Sequence, residues 1–82
     1  RTFPVIIMSD IGATLGDRIR HLRTERKLSQ LDLANRVGVR QSAISAFETG
    51  EKSPRLDTLQ RIASALGVST AVLIVPEEGQ AS

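Results

Sequence analysis

The side chains of this sequence that could support acid–base or metal chemistry are nine carboxylates and one histidine, with no cysteine. The lack of thiols excludes a disulfide, a zinc–thiolate site and a thiol nucleophile. His21 has no second ligand type at a suitable spacing, whereas a zinc site needs three or four ligands. Gly12 and Gly16 are isolated, so there is no glycine-rich loop for a nucleotide. We expect no catalytic residue, no metal site and no cofactor, and we expect that the chain is not an enzyme.

A stretch of another kind, GVRQSAISAFETG, runs from Gly38 to Gly50 and contains almost no large side chains. Ile44 and Phe47 are its only bulky apolar residues, and their spacing of three places them on one side of a helix. A helical wheel places on the other side Ser42, Ala46 and Thr49, flanked by Gln41 and Ser45. Side chains this short would let the backbone approach base edges and thymine methyls in a DNA major groove, which is about 12 Å wide.

The preceding segment, LSQLDLANRV, supplies a matching first helix. Gln30 lies in its first turn, where exposed backbone N–H groups and the helix dipole favour a phosphate. Ala34 is small where a second helix must cross closely, and Gly38 permits the left-handed backbone that ends the helix. A small residue at the crossing, a tight turn and apolar anchors on the second helix are typical of a helix-turn-helix.

Basic residues are concentrated in one part of the chain, although the net charge is only +2. Seven basic and three acidic residues lie between Asp17 and Arg40, whereas three basic and five acidic residues follow from Gln41 onward. A basic half of this kind favours a polyanionic partner. On charge alone, a solvated helix face explains the same composition equally well.

Five helical segments are predicted around these residues, with no strand alternation in the middle of the chain. They span about residues 14–25, 29–38, 41–49, 55–66 and 69–75. Thr14 with Asp17, and Ser29 with Asp32, provide capping-box signals for the first two. We expect Leu31 to pack at one side of the second helix. The residues expected to face inward on the first, second and fourth helices are Leu15, Ile19, Leu22, Leu33, Ala34, Val37, Leu56, Leu59, Ile62, Ala63 and Leu66.

The last segment, VSTAVLIV before Pro76, suits two interpretations. Ser69 can cap a short helix that buries Val72 and Leu73, but the β-branched content suits a strand as well. We favour the helix. Residues 68–75 also offer more apolar surface than one short segment can hide in its own core, which predicts a homodimer formed through the C-terminal third.

The segment LSQLDLANRVGVRQSAISAFETGEKSPRLDTLQRIASALGVS resembles the phage-repressor and Cro family of helix-turn-helix proteins, also called the XRE family. The likeness covers Leu15 to about Leu73. It includes the family's L-S/T-Q-x-x-L-A-x-x-x-G-V, I-S-x-h-E-x-G and P-x-h-x-T-L-x-x-I-A-x-A-L-x-V elements, where h is apolar. The resemblance implies an all-α fold, a compact five-helix bundle like that of lambda repressor. It further implies binding to operator DNA, usually as a homodimer across a palindrome.

The resemblance also assigns roles residue by residue. It places at base-facing or groove-facing positions Arg40, Gln41, Ser42, Ser45 and Ala46. It places against phosphates Gln30, Arg40, Thr49, Lys52 and Ser53. It suggests that Arg23 pairs with Glu48 in the interior. The other structural positions are Ala34, Gly38, Ile44 and Phe47.

The 82 residues fit one small domain. We predict an N-terminal extension at residues 1–13, a helix-turn-helix domain at 14–75 and a polar tail at 76–82. Met8 is a candidate initiator, in which case residues 1–7 precede the native protein. The apolar runs are too short to span a bilayer and the N-terminus does not resemble a signal peptide, so we expect a cytoplasmic protein without a membrane partner.

Two functions fit these observations. The first is a sequence-specific regulator of transcription, a repressor, that inserts residues 41–49 into the major groove of a palindromic double-stranded operator as a homodimer. The second is an antitoxin-type module, HipB- or HigA-like, whose main partner is a cognate toxin or another regulatory protein.

Overall fold

Five α-helices make up the part of the chain that the computed structural model describes, residues 14–74. They are α1 (Leu15–Glu25), α2 (Gln30–Val37), α3 (Gln41–Thr49), α4 (Leu56–Leu66) and α5 (Thr70–Ile74). No strand occurs within these residues, so the predicted all-α fold and the helical interpretation of the last segment are confirmed there. The predicted extension at 1–13 and tail at 76–82 lie outside the described residues, as does Val75.

The first two helices each begin at a reciprocal capping box. Thr14 Oγ1 accepts a hydrogen bond from the backbone N–H of Asp17, and the Asp17 carboxylate accepts one from the Thr14 N–H, both at 3.1 Å. Ser29 and Asp32 repeat the exchange at 2.9 Å in both directions. The backbone N–H of Thr14 lowers the pKa of Asp17, and that of Ser29 lowers the pKa of Asp32. The predicted caps therefore satisfy N–H groups that have no partner inside the helix.

Gly38 and Gly50 end α2 and α3 in the left-handed conformation, with φ angles of 87° and 86°. A residue with a Cβ adopts this conformation only at a cost, whereas glycine adopts it readily. The turn at Gly38 is closed by hydrogen bonds from the N–H groups of Gly38 and Val39 to the carbonyl of Ala34. The chain therefore turns within three residues and enters α3 at once.

Every helix contributes to a single core. The largest fully buried side chains are Ile19 of α1, Leu33 of α2, Ile44 of α3, Ile62 and Leu66 of α4, and Leu73 of α5. Burying a side chain of this size contributes about 1.5–3 kcal/mol. The predicted anchors of α3, Ile44 and Phe47, are both in this core. The helix-turn-helix is consequently held from behind by the rest of the bundle.

Three residues predicted to pack against the domain are exposed instead. Leu31, predicted to pack at one side of α2, is 52% exposed, and Leu56 and Val72, predicted to face inward, are 64% and 47% exposed. Leu31 lies roughly 120° around α2 from the buried stripe of that helix. Leu56 is the first residue of α4, and because helical side chains lean towards the N-terminus, it extends past the end of the core. In α5 Leu73 occupies the buried side, which turns Val72 outward by about 100°.

Gly16 allows α1 to approach the end of α3 closely. A Cβ built on Gly16 would lie 2.4 Å from the carbonyl oxygens of both Phe47 and Glu48. No such contact is tolerated between nonbonded atoms, so this crossing requires glycine. In the sequence Gly16 is only an isolated glycine, because its structural role depends on residues far along the chain.

Candidate nucleic-acid interface

The first turn of α3 presents polar side chains to solvent. Arg40, Gln41 and Ser42 are exposed, and Ser45, one turn later, is half-buried. Gln41, Ser42 and Ser45 fall within about 100° of one another around the helix. The structure therefore brings four of the five predicted base-facing residues to one accessible region at the start of α3.

Ala46 differs from the other four. It is only 8% exposed, so the prediction that it lies on the open side of α3 is wrong. The chain after α3 folds back onto the end of the helix. There the backbone N–H of Lys52 donates to the carbonyl of Ala46 at 3.2 Å. The Thr49 hydroxyl donates to the same carbonyl, also at 3.2 Å. A helical wheel describes an isolated helix and leaves out a loop that folds back on it.

The predicted phosphate-contacting residues come from both sides of α3. Arg40 lies before its first turn, and Thr49, Lys52 and Ser53 lie at and after its end, all four exposed. Gln30 is half-buried at the start of α2. The Thr49 hydroxyl also accepts a hydrogen bond from the backbone N–H of Glu51 at 3.4 Å, which holds this loop against the end of α3.

Behind α3 lies the interior ion pair between Arg23 and Glu48. The Arg23 Nε donates to Glu48 Oε2 at 2.6 Å, and Nη2 donates to Oε1 at 3.1 Å. Their side chains are 12% and 3% exposed, so the structure contains the predicted pair and buries it. Arg23 Nη1 also donates to the carbonyl of Leu28 at 2.8 Å, which fastens α1 to the chain that enters α2.

Glu48 has a further partner that the sequence analysis missed. The Gln30 Nε2 donates to Glu48 Oε1 at 3.2 Å, so a predicted phosphate-contacting residue is bonded directly to the interior pair. The two residues lie 18 positions apart on different helices, and no local pattern connects them.

Three observations bear on other kinds of site within residues 14–74. No group of three or more His, Asp and Glu side chains there is arranged to hold a metal ion. None of the helices in this part of the chain is long and apolar enough to cross a bilayer. An open groove of about 430 Å³ lies between α2 and α4, with Arg36, Asp57 and Arg61 among its lining residues, and it includes none of the predicted site residues.

Residues 19–73 match the model of a helix-turn-helix family. This chain belongs to that family. The matched residues of the helix-turn-helix domain run from the buried Ile19 of α1 to the buried Leu73 of α5, and they include the whole α2–turn–α3 unit.

A phage repressor and an antitoxin are among the proteins similar to the domain in sequence. The transcriptional repressor RstR of the cryptic phage CTXphi in Vibrio cholerae is 41% identical over 61 residues, 74% of this chain and 55% of that protein. Antitoxin HigA1 of Mycobacterium tuberculosis is 48% identical over 52 residues, 63% of this chain and 35% of that protein. The chain spans about half the length of the curated phage repressors that it matches, with 44% and 55% of their residues covered.

A solved structure similar to the domain is that of the P22 c2 repressor in complex with a synthetic operator. The two share 35% sequence identity with a TM-score of 0.74, over 77% of this chain and 96% of that one. The predicted repressor-like five-helix bundle is therefore confirmed for the described residues.

Proposed function

We propose that this domain is a sequence-specific, double-stranded-DNA-binding regulator of transcription, a repressor, that inserts α3 into the major groove. The observation that carries the proposal is the two-sided character of α3. Ile44 and Phe47 fix one side in the core, while Arg40, Gln41 and Ser42 lie exposed at its start. A helix held from behind and bearing exposed polar side chains in front suits a groove about 12 Å wide.

Two similarities support this proposal. RstR is a transcriptional repressor, and the P22 c2 repressor was crystallised with an operator. Within α3, Gln41 is the long side chain suited to hydrogen-bond a base. Ser42 and Ser45 have shorter side chains that contact the groove at closer approach. A regulator of this kind works in the cytoplasm.

Phosphate contacts on both sides of α3 would fix its position in the groove. The residues assigned to them are Gln30, Arg40, Thr49, Lys52 and Ser53. Lys52 supplies a positive charge on the loop after α3, and Arg40 supplies one before it. Charged contacts of this kind release counterions and make the affinity depend on salt.

We further propose that the regulator binds a palindromic operator as a homodimer. A single helix-turn-helix contacts only a half-site, whereas a dimer spans two half-sites about 34 Å apart. Leu56, Val72 and Ile74 are exposed large apolar residues outside the helix-turn-helix, and a second copy of the chain would cover them. Leu73 does not belong to this surface because its side chain is fully buried in its own core.

The alternative is an antitoxin-type module whose main partner is a cognate toxin. The observation that favours it is the 48% identity to antitoxin HigA1. In this case Leu56, Val72 and Ile74 would contact the toxin rather than a second copy. A regulatory protein other than a toxin could occupy the same surface. Mass measurement of the isolated chain separates these proposals, because only a self-associating surface gives a dimer without a partner.

The test of DNA binding is a titration of the purified protein with duplex DNA over a range of salt concentrations. The logarithm of the affinity should fall linearly with the logarithm of the salt concentration, by about 0.9 for each phosphate neutralised. Salt-insensitive binding, or no binding at low salt, contradicts the proposal.

The Lys52→Ala substitution refines this titration. It should weaken binding about equally on all sequences and reduce the salt slope by roughly one, because Lys52 contacts phosphate and no base. An unchanged slope would remove Lys52 from the phosphate-contacting set.

A further inference from the structure

We propose that Glu48 is a positioning residue for phosphate binding. It holds the side-chain amide of Gln30 with one N–H directed into the protein and the other available to a phosphate oxygen of DNA. This inference rests on the proposed DNA-binding function, and it assigns to a buried acidic residue a part in binding a polyanion.

The orientation of the Gln30 amide follows from the chemistry of its partner. An ionised carboxylate only accepts hydrogen bonds, so the group that faces it must be the amide nitrogen and not the amide oxygen. Gln30 Nε2 lies 3.2 Å from Glu48 Oε1, in agreement with this requirement. The amide nitrogen carries two hydrogens, and one remains for a second acceptor.

Arg23 makes it possible for a carboxylate to lie behind a phosphate-contacting residue. It donates to both carboxylate oxygens of Glu48, at 2.6 and 3.1 Å, so the plane of the carboxylate is fixed and its charge is neutralised. Without that neutralisation, the carboxylate would repel a phosphate brought next to Gln30. Arg23 thus contributes to phosphate binding through Glu48.

The location of Gln30 completes the argument. It is the first residue of α2, where the backbone N–H groups and the helix dipole also favour an anion. Arg23 lies on α1 and Glu48 lies in the last turn of α3, so the packing of three helices sets the direction of one amide. A rigid amide loses less conformational freedom on binding than a glutamine that rotates in solvent.

A double-mutant cycle tests the inference. The affinity for DNA is measured at one salt concentration, with a duplex selected by the wild type. Gln30→Ala should weaken binding about tenfold, the scale of a hydrogen bond to a charged group. In the Glu48→Gln background, the same substitution should weaken binding less than about twofold, because the amide is no longer oriented.

The matched control is Glu51→Gln. It removes the same charge from an exposed position close to α3 and should leave the tenfold effect of Gln30→Ala intact. Because glutamine is neutral, Gln30→Ala should also leave the salt slope unchanged, which separates its contact from that of Lys52.

A second measurement needs no variant at position 48. In the NMR spectrum of the wild type, one side-chain N–H of Gln30 should exchange slowly with solvent in the free protein. Both N–H groups should exchange slowly in the DNA complex. Loss of the first protection on binding DNA would mean that the amide leaves Glu48, and this result overturns the inference.

The outcomes separate the two proposals. A wild type that does not bind duplex DNA overturns the proposed function and this inference together. A wild type that binds, with an equal effect of Gln30→Ala in both backgrounds, overturns the positioning role alone. A Gln30→Ala variant that binds DNA as tightly as the wild type also overturns the positioning role of Glu48.

Discussion

Gln41 is the residue that we expect to distinguish one base from another. It is exposed in the first turn of α3, and a glutamine amide can bond adenine through N6 and N7. Gln41→Ala should cost about 1–3 kcal/mol on the selected site and flatten the preference at one base pair. Competition binding against randomised duplexes measures both effects. Gln60→Ala, an exposed glutamine on α4, is the matched control, and equal losses on selected and random DNA would reduce Gln41 to a positioning contact.

Glu48 is the residue on which the stability of the interior depends most directly. Its removal leaves Arg23 largely buried without its partner carboxylate, and breaking a buried ion pair in this way costs about 3–5 kcal/mol. We therefore expect Glu48→Ala to lower the free energy of unfolding in urea by that amount. Glu51→Ala, at an exposed position, should change it by less than about 0.5 kcal/mol. A Glu48→Ala variant as stable as wild type would contradict the importance of the pair.

Among the elements, the crossing of α1 and α3 depends on Gly16. Replacing a glycine by alanine inside a helix ordinarily stabilises it by about 1 kcal/mol. At Gly16 the added Cβ would meet two carbonyl oxygens of α3 at 2.4 Å, so Gly16→Ala should destabilise the domain by about 1–3 kcal/mol. Thermal and urea unfolding measure the sign and the size of the change in the free energy of unfolding. A stabilised variant would show that α1 and α3 do not cross this closely.

Within residues 14–74, large apolar side chains are exposed outside the helix-turn-helix, and self-association should cover them. Ile74→Asp should shift the dimer–monomer equilibrium towards monomer by about tenfold or more, because the substitution removes the burial of one large side chain. Sedimentation equilibrium over a range of concentrations measures the shift. Leu31→Asp places the same charge on an exposed leucine of α2 and should leave the equilibrium unchanged.

The choice of Ile74 over its neighbour follows from burial. Ile74 is 51% exposed, whereas Leu73 is fully buried, so Leu73→Asp would unfold the domain before it reported on an interface. A wild type that stays monomeric at high micromolar concentration and still binds a palindromic operator tightly would rule out the proposed dimer.

The five helices and the turn between α2 and α3 are predictable from local sequence signals. Local signals mark the helix ends: the capping boxes at Thr14 and Ser29 and the glycines that end α2 and α3. Because these signals act within a few residues, they can be recognised in the sequence without knowledge of the fold. Ile44 and Phe47 were also identifiable, because helical spacing alone brings them to one side. The resemblance to phage repressors added the pairing of Arg23 with Glu48, which spacing alone does not reveal.

Which surfaces of those helices remain accessible depends on the packing of the helices and loops against one another. Ala46 is buried where the chain after α3 folds back and bonds to its carbonyl, whereas Leu31 and Leu56 are exposed. Likewise, the bond from Gln30 to Glu48 joins residues 18 positions apart, and it exists because the start of α2 packs against the last turn of α3. Helical periodicity describes one helix at a time, whereas burial and side-chain partners depend on how neighbouring elements pack against it.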